Sequence, residues 1–317
     1  MPKLNYLAAI LLSLSTSALF ADEPSDTIRL NEVVVSANRV GVARDNAPLS
    51  ITLISNEDIR NREDANILPL VATITPSVFV SEIGVAGYAL GNGTSGQISI
   101  RGVSGSPNSR VMMMVDGQPQ FMGVFGHPLP NFHMASNVER VEVVRGPASL
   151  LYGSNAMGGI INVISKKDKQ DGIGISGYGS YGSFNTIKSG AALSYTKDKL
   201  NAGVRYNYAK TDGHRDTSAF NISNLHVYAG YHLNENWESN IGFTMASYSF
   251  QDPGSIYNAS ALAFLGDIER NMLTFSVENN YDRSKGGLFA FYNSGHHEFS
   301  DGWISDDVNF GTNIFQA

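Results

Sequence analysis

The sequence contains no cysteine, which excludes a structural disulfide and a thiolate metal site. Basic residues are also outnumbered: 22 Lys and Arg stand against 29 Asp and Glu, for a formal net charge of -7. No Lys/Arg-rich run is present that could neutralise several phosphates along a nucleic-acid backbone. Nucleic acid is therefore not an expected partner.

Long apolar runs are lacking as well. Residues 7–14 are apolar and follow Lys3, and small residues around Ala18 and Ala21 precede a polar stretch. This apolar stretch is shorter than the roughly 20 residues that a membrane-spanning helix needs. The pattern predicts a secretory signal peptide over residues 1–21. No later stretch is long enough either, so any insertion into a membrane would have to use β-strands.

Glycine and aromatic residues are abundant, which favours short strands joined by many turns. The composition changes near Lys169. Before it, Ser55 and Asp58 predict a helix with a capping box, and Asn66 predicts the cap of a second helix with Pro69 in its first turn. Hydrophobic stretches bounded by turn signals predict strands over residues 50–54, 98–101, 110–115, 138–144 and 160–165. These elements predict a small α+β domain.

After Lys169, apolar and polar residues alternate over segments of about ten residues, as in residues 200–209. Roughly eight such segments precede Ala317. This pattern is typical of transmembrane β-barrel strands, although a soluble β-sandwich also alternates. The signal peptide and the aromatic residues Tyr206, Tyr208 and Trp237 near strand ends favour the membrane, because aromatic girdles lie at its interfaces.

The most specific motif is residues 138–147, VERVEVVRGP, continued by LYGSNAMGGIINVI over residues 151–164. Ile100-Arg101-Gly102 and Val115-Asp116-Gly117 precede it. In order and spacing these motifs closely resemble the plug domain of TonB-dependent outer-membrane receptors. The resemblance extends from Leu30 onward, closely in the plug and as a general pattern in the barrel strands.

The resemblance implies an α+β plug domain followed by antiparallel strands of a transmembrane β-barrel in a Gram-negative outer membrane. We expect a leader over residues 22–46, a plug over 47–168 and the first part of the barrel over 169–317. The expected partners are the periplasmic energy transducer TonB, outer-membrane lipid and a small metal chelate. An extended TonB box, which would add as a strand to TonB, is expected at Glu32, Val33, Val34, Val35 and Ser36.

The resemblance also suggests site residues. Arg101 and Arg145 are expected to pair with barrel carboxylates, because charged contacts can hold a plug firmly and still be released. Alternatively, they are plain surface arginines. Ligand contacts are expected from loops over residues 84–96, 104–109 and 118–137. Apolar contact and imidazole groups are offered there by the candidates Phe121, Met122, Phe125, His127, Phe132 and His133. These aromatic side chains could instead simply pack the surface of the plug.

No enzyme motif is present, and we expect no catalysis, no cofactor and no resident metal. The expected function is active uptake of a siderophore, haem or cobalamin, and the alternative is a passive porin or adhesin-type barrel protein. A short leader favours a small chelate over an oligosaccharide. Plugged receptors have about 22 strands, whereas about eight strands enclose only their own side chains. We therefore expect a plug beside an incomplete, open barrel wall, and no transport by these residues alone.

Overall fold

The computed structural model describes ten stretches of the chain, all within the compact unit Val33–Ala317. They are residues 33–34, 42–43, 49–62, 66–81, 97–104, 110–120, 132–168, 170–252, 263–302 and 311–316. The expected signal peptide lies outside the described residues. In these ten stretches no helix is both long and apolar enough to cross a membrane.

The N-terminal domain contains nine described strands. They are β1 Val33–Val34, β2 Val42–Ala43, β3 Ser50–Ile54, β4 Val78–Val80, β5 Ile98–Ile100, β6 Val111–Val115, β7 Gln118–Gln120, β8 Val138–Arg145 and β9 Gly159–Ser165. Five of them form a mixed sheet with the order β3-β8-β9-β6-β7, in which β6 and β9 are parallel and the other pairs antiparallel. Two further pairs, β1 with β2 and β4 with β5, are antiparallel.

Three short α-helices accompany the sheet: α1 Asn56–Arg60, α2 Leu68–Ile74 and α3 Ser149–Tyr152. Two single 3-10 turns occupy Ala135–Asn137 and Ser154–Ala156. The predicted capping box is confirmed, because the Ser55 side chain accepts from the backbone of Asp58 and the Asp58 carboxylate accepts from the backbone of Ser55.

The predicted cap of α2 is wrong by one residue. The cap position is occupied by Ile67, whose side chain cannot accept a hydrogen bond. Asn66, one residue earlier, still accepts from the backbone N–H of Leu68 at 2.9 Å. Pro69 lies in the first turn as predicted, where its missing N–H costs no helix hydrogen bond.

Both faces of the five-stranded sheet are covered. Along β6, Val111 and Met113 pack into a core with α1 and α2, while Met112 and Met114 pack on the opposite face with Ala148 and Tyr152. A strand buried on both faces loses the alternation of a half-exposed strand and is apolar throughout, as VMMMV is. The domain thus has its own hydrophobic core.

The two short motifs that precede the VERVEVVRGP stretch are tight turns. Arg101 and Gly102 have φ of 53° and 78°, and Asp116 and Gly117 have φ of 49° and 79°. Two successive positive φ angles are what a two-residue type I′ hairpin turn requires. The Asp116 carboxylate also accepts from the backbone of Ser165 at 2.9 Å, which ties this turn to the end of β9.

The remaining strands form one antiparallel sheet in which each strand pairs with the next along the chain, in the order β10 to β17. We call this sheet the wall. Its strands are β10 Gly172–Gly182, β11 Thr186–Lys197, β12 Leu200–Thr211, β13 Phe220–Asn234, β14 Trp237–Asp252, β15 Ala263–Asn280, β16 Lys285–Gly302 and β17 Gly311–Gln316.

The predicted alternation and strand number in the wall are confirmed. In β12, Arg205 and Asn207 are buried against the N-terminal domain, whereas Tyr206 between them is 47% exposed on the outer face. Among the described residues β10 pairs only with β11 and β17 only with β16, so the sheet is open. The expected arrangement, a domain beside an open and partial wall, is therefore what the structure has.

Candidate functional site

One contact of the N-terminal domain with the wall is made by residues 132–138, which we call the docking segment. Asn137 donates to the Asn224 side chain at 2.6 Å and accepts from Asn207 at 2.9 Å. Ser136 donates to the Asn207 side chain at 2.7 Å, and Tyr178 donates to the same oxygen at 3.2 Å. These hydrogen bonds are between uncharged groups. Each contributes about 1 kcal/mol and can be exchanged for water without leaving a buried charge.

Apolar contacts surround these hydrogen bonds. Met134 packs with wall residues that include Ala209, Phe220 and Tyr248, and Phe132 packs with Met272 and Ala246. The wall residues belong to alternate positions of neighbouring strands, so their side chains share its inner face. The docking segment is thus seated on the inner face of the wall.

A second contact, which we call the anchor, lies where the N-terminal domain leads into β10. The Asp168 carboxylate accepts from the Arg205 guanidinium at 2.6 Å. The backbone carbonyl of Asp168 accepts from Thr196 and Asn201, and its N–H donates to the Tyr228 hydroxyl at 3.2 Å. Side chains from three wall strands thus hold one residue. The Arg205 side chain is 6% exposed, so this pair is partly desolvated, and its charge-assisted hydrogen bond is stronger than one between neutral groups.

Lys167 extends the anchor along the wall. Its ammonium donates to the Asn240 side chain at 2.8 Å and lies 4.0 Å from the Glu238 carboxylate. The side chains of Lys167 and Glu238 are 34% and 40% exposed, so this ion pair is screened by water and contributes little.

Two histidines lie buried between the N-terminal domain and the wall. The burial of His133, without a partner for its Nε2, lowers the pKa of its imidazole from 6.5 to about 3. On the wall, the Nδ1 of His226 and the Thr244 hydroxyl are 2.9 Å apart. Both rings, with Val115 and Phe132, line a small cavity of about 20 Å³. His133 is therefore neutral at physiological pH.

Within the described stretches, neither predicted arginine pairs with a carboxylate. No ion pair of Arg101 or Arg145 is formed with any residue that the structure describes. The Nε of Arg145 is buried without a hydrogen-bond partner. The pairing of these arginines with barrel carboxylates stays a prediction. The charged contacts that are present, at Asp168 and Lys167, involve other residues of the domain.

The ligand candidates are only partly within the described residues. Phe132 and His133 are buried against the wall, with ring centroids 5.5 Å apart. Their role as ligand contacts stays a prediction, as does that of the candidates outside the described residues, Phe121, Met122, Phe125 and His127. In the part of the chain that is described, no group of three or more His, Asp or Glu side chains could hold a metal ion.

Of the expected TonB box, only the backbone of Val33 and Val34 lies within the described residues. It forms β1, which pairs with Val42 and Ala43 of β2. Glu32, Val35 and Ser36 lie outside. The extended conformation of β1 is the one that strand addition needs, and the function of the box stays a prediction.

Sequence reasoning missed the residues that join the two parts. Asn137, Asp168, Asn207 and Asn224 carry no motif, and the alternation in β12 identified only the face on which Asn207 lies. The signal available in the sequence was asparagine at positions that the alternation assigns to the inner face. A buried side-chain amide there needs a hydrogen-bond partner. Which partners they find depends on the docking of two separate sheets.

Comparison with known proteins agrees with this architecture. Residues 43–160 match the family model of the TonB-dependent Receptor Plug Domain. The chain is 32% identical over 177 residues to the "Iron-regulated outer membrane virulence protein" of Vibrio cholerae serotype O1. The match covers 53% of this chain and 24% of that protein, so the chain spans only about a quarter of this relative's length.

Two solved structures have the same fold at low sequence identity. The ferric yersiniabactin uptake receptor FyuA from Yersinia pestis is 20% identical, with a TM-score of 0.65, over 89% of this chain and 46% of FyuA. The siderophore receptor PirA from Acinetobacter baumannii is also 20% identical, with a TM-score of 0.63, over 83% of this chain and 43% of PirA. The N-terminal domain, docked on the inner face of an antiparallel wall, is therefore a plug domain of the TonB-dependent receptor type, and the chain is similar in fold to the plug and the first barrel strands of TonB-dependent outer-membrane receptors.

Proposed function

We propose that this chain forms the plug and the first barrel strands of a receptor that imports an iron chelate with energy supplied through TonB. The observation that carries the proposal is the uncharged hydrogen-bond network between the docking segment and the wall. A gate must be held closed and still open when a modest force is applied. Contacts of about 1 kcal/mol each meet both demands.

The names of the relatives support an iron chelate as the ligand class. The relative from Vibrio cholerae is an iron-regulated protein, and the two structural neighbours are a ferric yersiniabactin uptake receptor and a siderophore receptor. A siderophore is therefore favoured over haem and cobalamin. The family comprises receptors and transporters, so catalysis is not part of the proposal.

The backbone of β1 supports the TonB contact. TonB would add a strand to the box, and main-chain hydrogen bonds would supply most of the affinity. Val33 and Val34 are paired with Ala43 and Val42 in this structure. TonB would therefore have to displace the two residues of β2 that pair with β1. Because only two positions are paired, the free-energy cost of this displacement is small.

Substitution of Val34 tests this proposal in the complete receptor. Val34→Pro removes a backbone donor from the added strand, and we expect energised uptake of ferric siderophore to fall to the level of cells without TonB. Binding of the chelate to de-energised cells should not change, because the box faces TonB and not the ligand. Uptake of iron-55 chelate and its binding to whole cells are the two measurements.

Val42→Pro is the matched control. It disturbs the same β1–β2 pair from the other strand but leaves the box intact, so uptake should be retained. Normal uptake by the Val34→Pro receptor would contradict the role of the box. Uptake that needs neither TonB nor a proton gradient in the unmodified receptor would favour the passive porin instead.

A further inference from the structure

A small cavity between the plug and the wall is lined by two histidines that the proposed function does not use. His133 belongs to the docking segment, and His226 lies on β13 of the wall. Both residues are more than nine-tenths buried. The cavity of about 20 Å³ has room for one water molecule. A charge that forms in this cavity would therefore keep little of its hydration.

The hydrogen bonds of the two rings do not provide for a second proton. Among the described residues the Nε2 of each ring is buried without a partner, so the two Nε2 atoms are not bonded to each other. The remaining lining residues are apolar or uncharged, and no carboxylate is among those that the structure describes. Both nitrogens of an imidazolium are donors. A protonated His133 would therefore bury an N–H group that has no acceptor.

The charged side chains around the cavity act on His226 and not on His133. Asp116, Lys167 and Glu278 line a second cavity of about 50 Å³ together with His226. Arg205 also acts on His226 through its charge, as Asp116 and Lys167 do. These two carboxylates and two cations oppose one another. For His133, burial is the one cause of its lowered pKa, so no nearby charge holds a proton on this ring.

The pKa of His133 links the docking of the plug to pH. Burial lowers this pKa from 6.5 to about 3 while the docking segment lies on the wall, and the pKa returns toward 6.5 when the ring reaches water. A released segment therefore takes up a proton below pH 6.5, whereas a docked one excludes it until about pH 3. Docking has its full strength above pH 6.5 and weakens as the pH falls from 6.5 toward 3.

The neighbours of His133 connect its ring to the rest of the docking segment. Phe132 and Met134, on either side of it, both pack on the inner face of the wall. The backbone carbonyl of Phe132 accepts from the Asn224 side chain at 3.5 Å, and that of His133 accepts from the backbone N–H of Ile67 in the plug. The backbone on both sides of the ring is thus held. The ring therefore reaches water when the docking segment leaves the wall.

We propose that His133 makes the contact between the docking segment and the wall sensitive to acid. Its imidazolium fits only a segment that has left the cavity, so a fall in pH from about 7.5 to 5.5 favours release. Histidine is the side chain whose ordinary titration lies in this interval, so the carboxylate of the anchor stays ionised. The acid dependence rests on the cavity alone. Its consequence for import, a gate that opens more easily in acid, rests on the proposed function.

A buried thiol on the wall can report the release. Ala246→Cys places it on the inner face, where Ala246 is fully buried and packs with Phe132. The complete receptor, without other cysteines, is labelled in outer membranes with the small uncharged reagent methyl methanethiosulfonate. Labelling requires the segment to leave, so its rate is proportional to the released fraction. The receptor is compared with its His133→Gln variant, and the effect of pH on the thiol cancels because both carry the same thiol.

We expect the labelling rate with His133, divided by the rate with His133→Gln, to rise about tenfold between pH 7.5 and 5.5. A His133→Gln receptor that docks poorly would label faster at both pH values, which leaves this rise unchanged. The matched control is His232→Gln, which removes an exposed histidine from the same wall strand as His226. The rate with His232 divided by the rate with His232→Gln should stay near one at both pH values.

Two results overturn the proposal. One is a rate ratio for His133→Gln that is the same at pH 7.5 and 5.5, and the other is a thiol at position 246 that stays unlabelled at pH 5.5. The labelling is done without TonB, without a siderophore and without a proton gradient. It can therefore fail while the Val34→Pro test succeeds, and the reverse.

Discussion

At Gly159, the first residue of β9, the backbone geometry leaves no room for a side chain. Its φ is 147°, and an added Cβ would lie 2.2 Å from the backbone carbonyl oxygen of Val144 on β8. A backbone atom inside a sheet cannot move aside without breaking the ladder. Gly159→Ala combines an unfavourable φ with this clash, and we expect a loss of about 3 kcal/mol or more of plug stability.

Gly117→Ala is the matched control, because Gly117 also has a positive φ, 79°, but no atom within 4 Å of the added Cβ. We expect it to cost only about 1 kcal/mol. The measurement is urea unfolding of the isolated fragment 47–168, whose sheet and both cores are internal and which we expect to fold alone. Equal losses for the two variants would show that the clash is absent, and an unfolded parent fragment would contradict the domain prediction.

At the same scale, Gly146, Gly153 and Gly159 of the motif and the turn residues Arg101 and Asp116 have positive φ angles that few residues adopt. Sequence reasoning did not find a partner for Arg145 or anticipate the ion pair of Asp168. A charge has many possible partners, and the choice depends on which side chains the docking of the plug brings close.

The elements themselves were predicted well because their signals are local. β3 runs over Ser50–Ile54 as predicted, and β8 and β9 differ from prediction by one residue at one end. The cap of α2 was misplaced because Asn66 and Ile67 compete for the start of the helix, and the Asn66 side chain reaches forward from outside it. Local sequence patterns do not resolve such a shift by one residue.

The anchor and the docking segment differ in strength, which leads to a prediction. Asp168→Asn removes the carboxylate charge from the nearly buried Arg205 and leaves the backbone contacts of residue 168 in place. Because Asp168 itself is about one third exposed, we expect a loss of about 1 to 3 kcal/mol. Hydrogen exchange of the Asp168 amide, which donates to Tyr228, should accelerate about tenfold or more.

Asp171→Asn is the matched control, since it removes the same charge from an exposed residue three positions later. The rate of hydrogen exchange at the backbone amide of residue 168 should not change in this variant. Exchange in the docking segment should remain slow in both, because its hydrogen bonds are separate from the anchor. An Asp168→Asn receptor with unchanged exchange at residue 168 would mean that the ion pair does not hold the plug.

At the scale of the whole molecule, two of the plug's attachments to the wall differ in kind. The docking segment contributes uncharged hydrogen bonds and apolar contacts, and the anchor contributes a partly desolvated ion pair close to β10. A force applied to β1 is therefore resisted by the weaker contacts of the docking segment and by the stronger ion pair of the anchor. The anchor lies beside the link that joins the plug to β10. We expect the docking segment to leave the wall first while the anchor holds.

This architecture was predictable from the sequence in outline. Motifs that resemble those of a known family predicted the plug, and alternation predicted about eight wall strands, because both signals lie in short stretches of the sequence. The mutual position of the plug and the wall was not predictable. It is decided by contacts between residues far apart in the sequence, such as Asn137 with Asn207 and Asn224, which are 70 and 87 positions away.

If the docking segment must leave the wall for energised uptake, a reversible crosslink between the two will block uptake. In a chain without cysteine, Asn137→Cys/Asn224→Cys replaces two side chains in hydrogen-bond contact by a pair that an oxidising periplasm can join. We predict that the oxidised receptor binds ferric siderophore normally, imports none, and regains energised uptake after reduction. Full uptake by a receptor whose disulfide is shown to be formed would mean that the docking segment can stay on the wall during uptake.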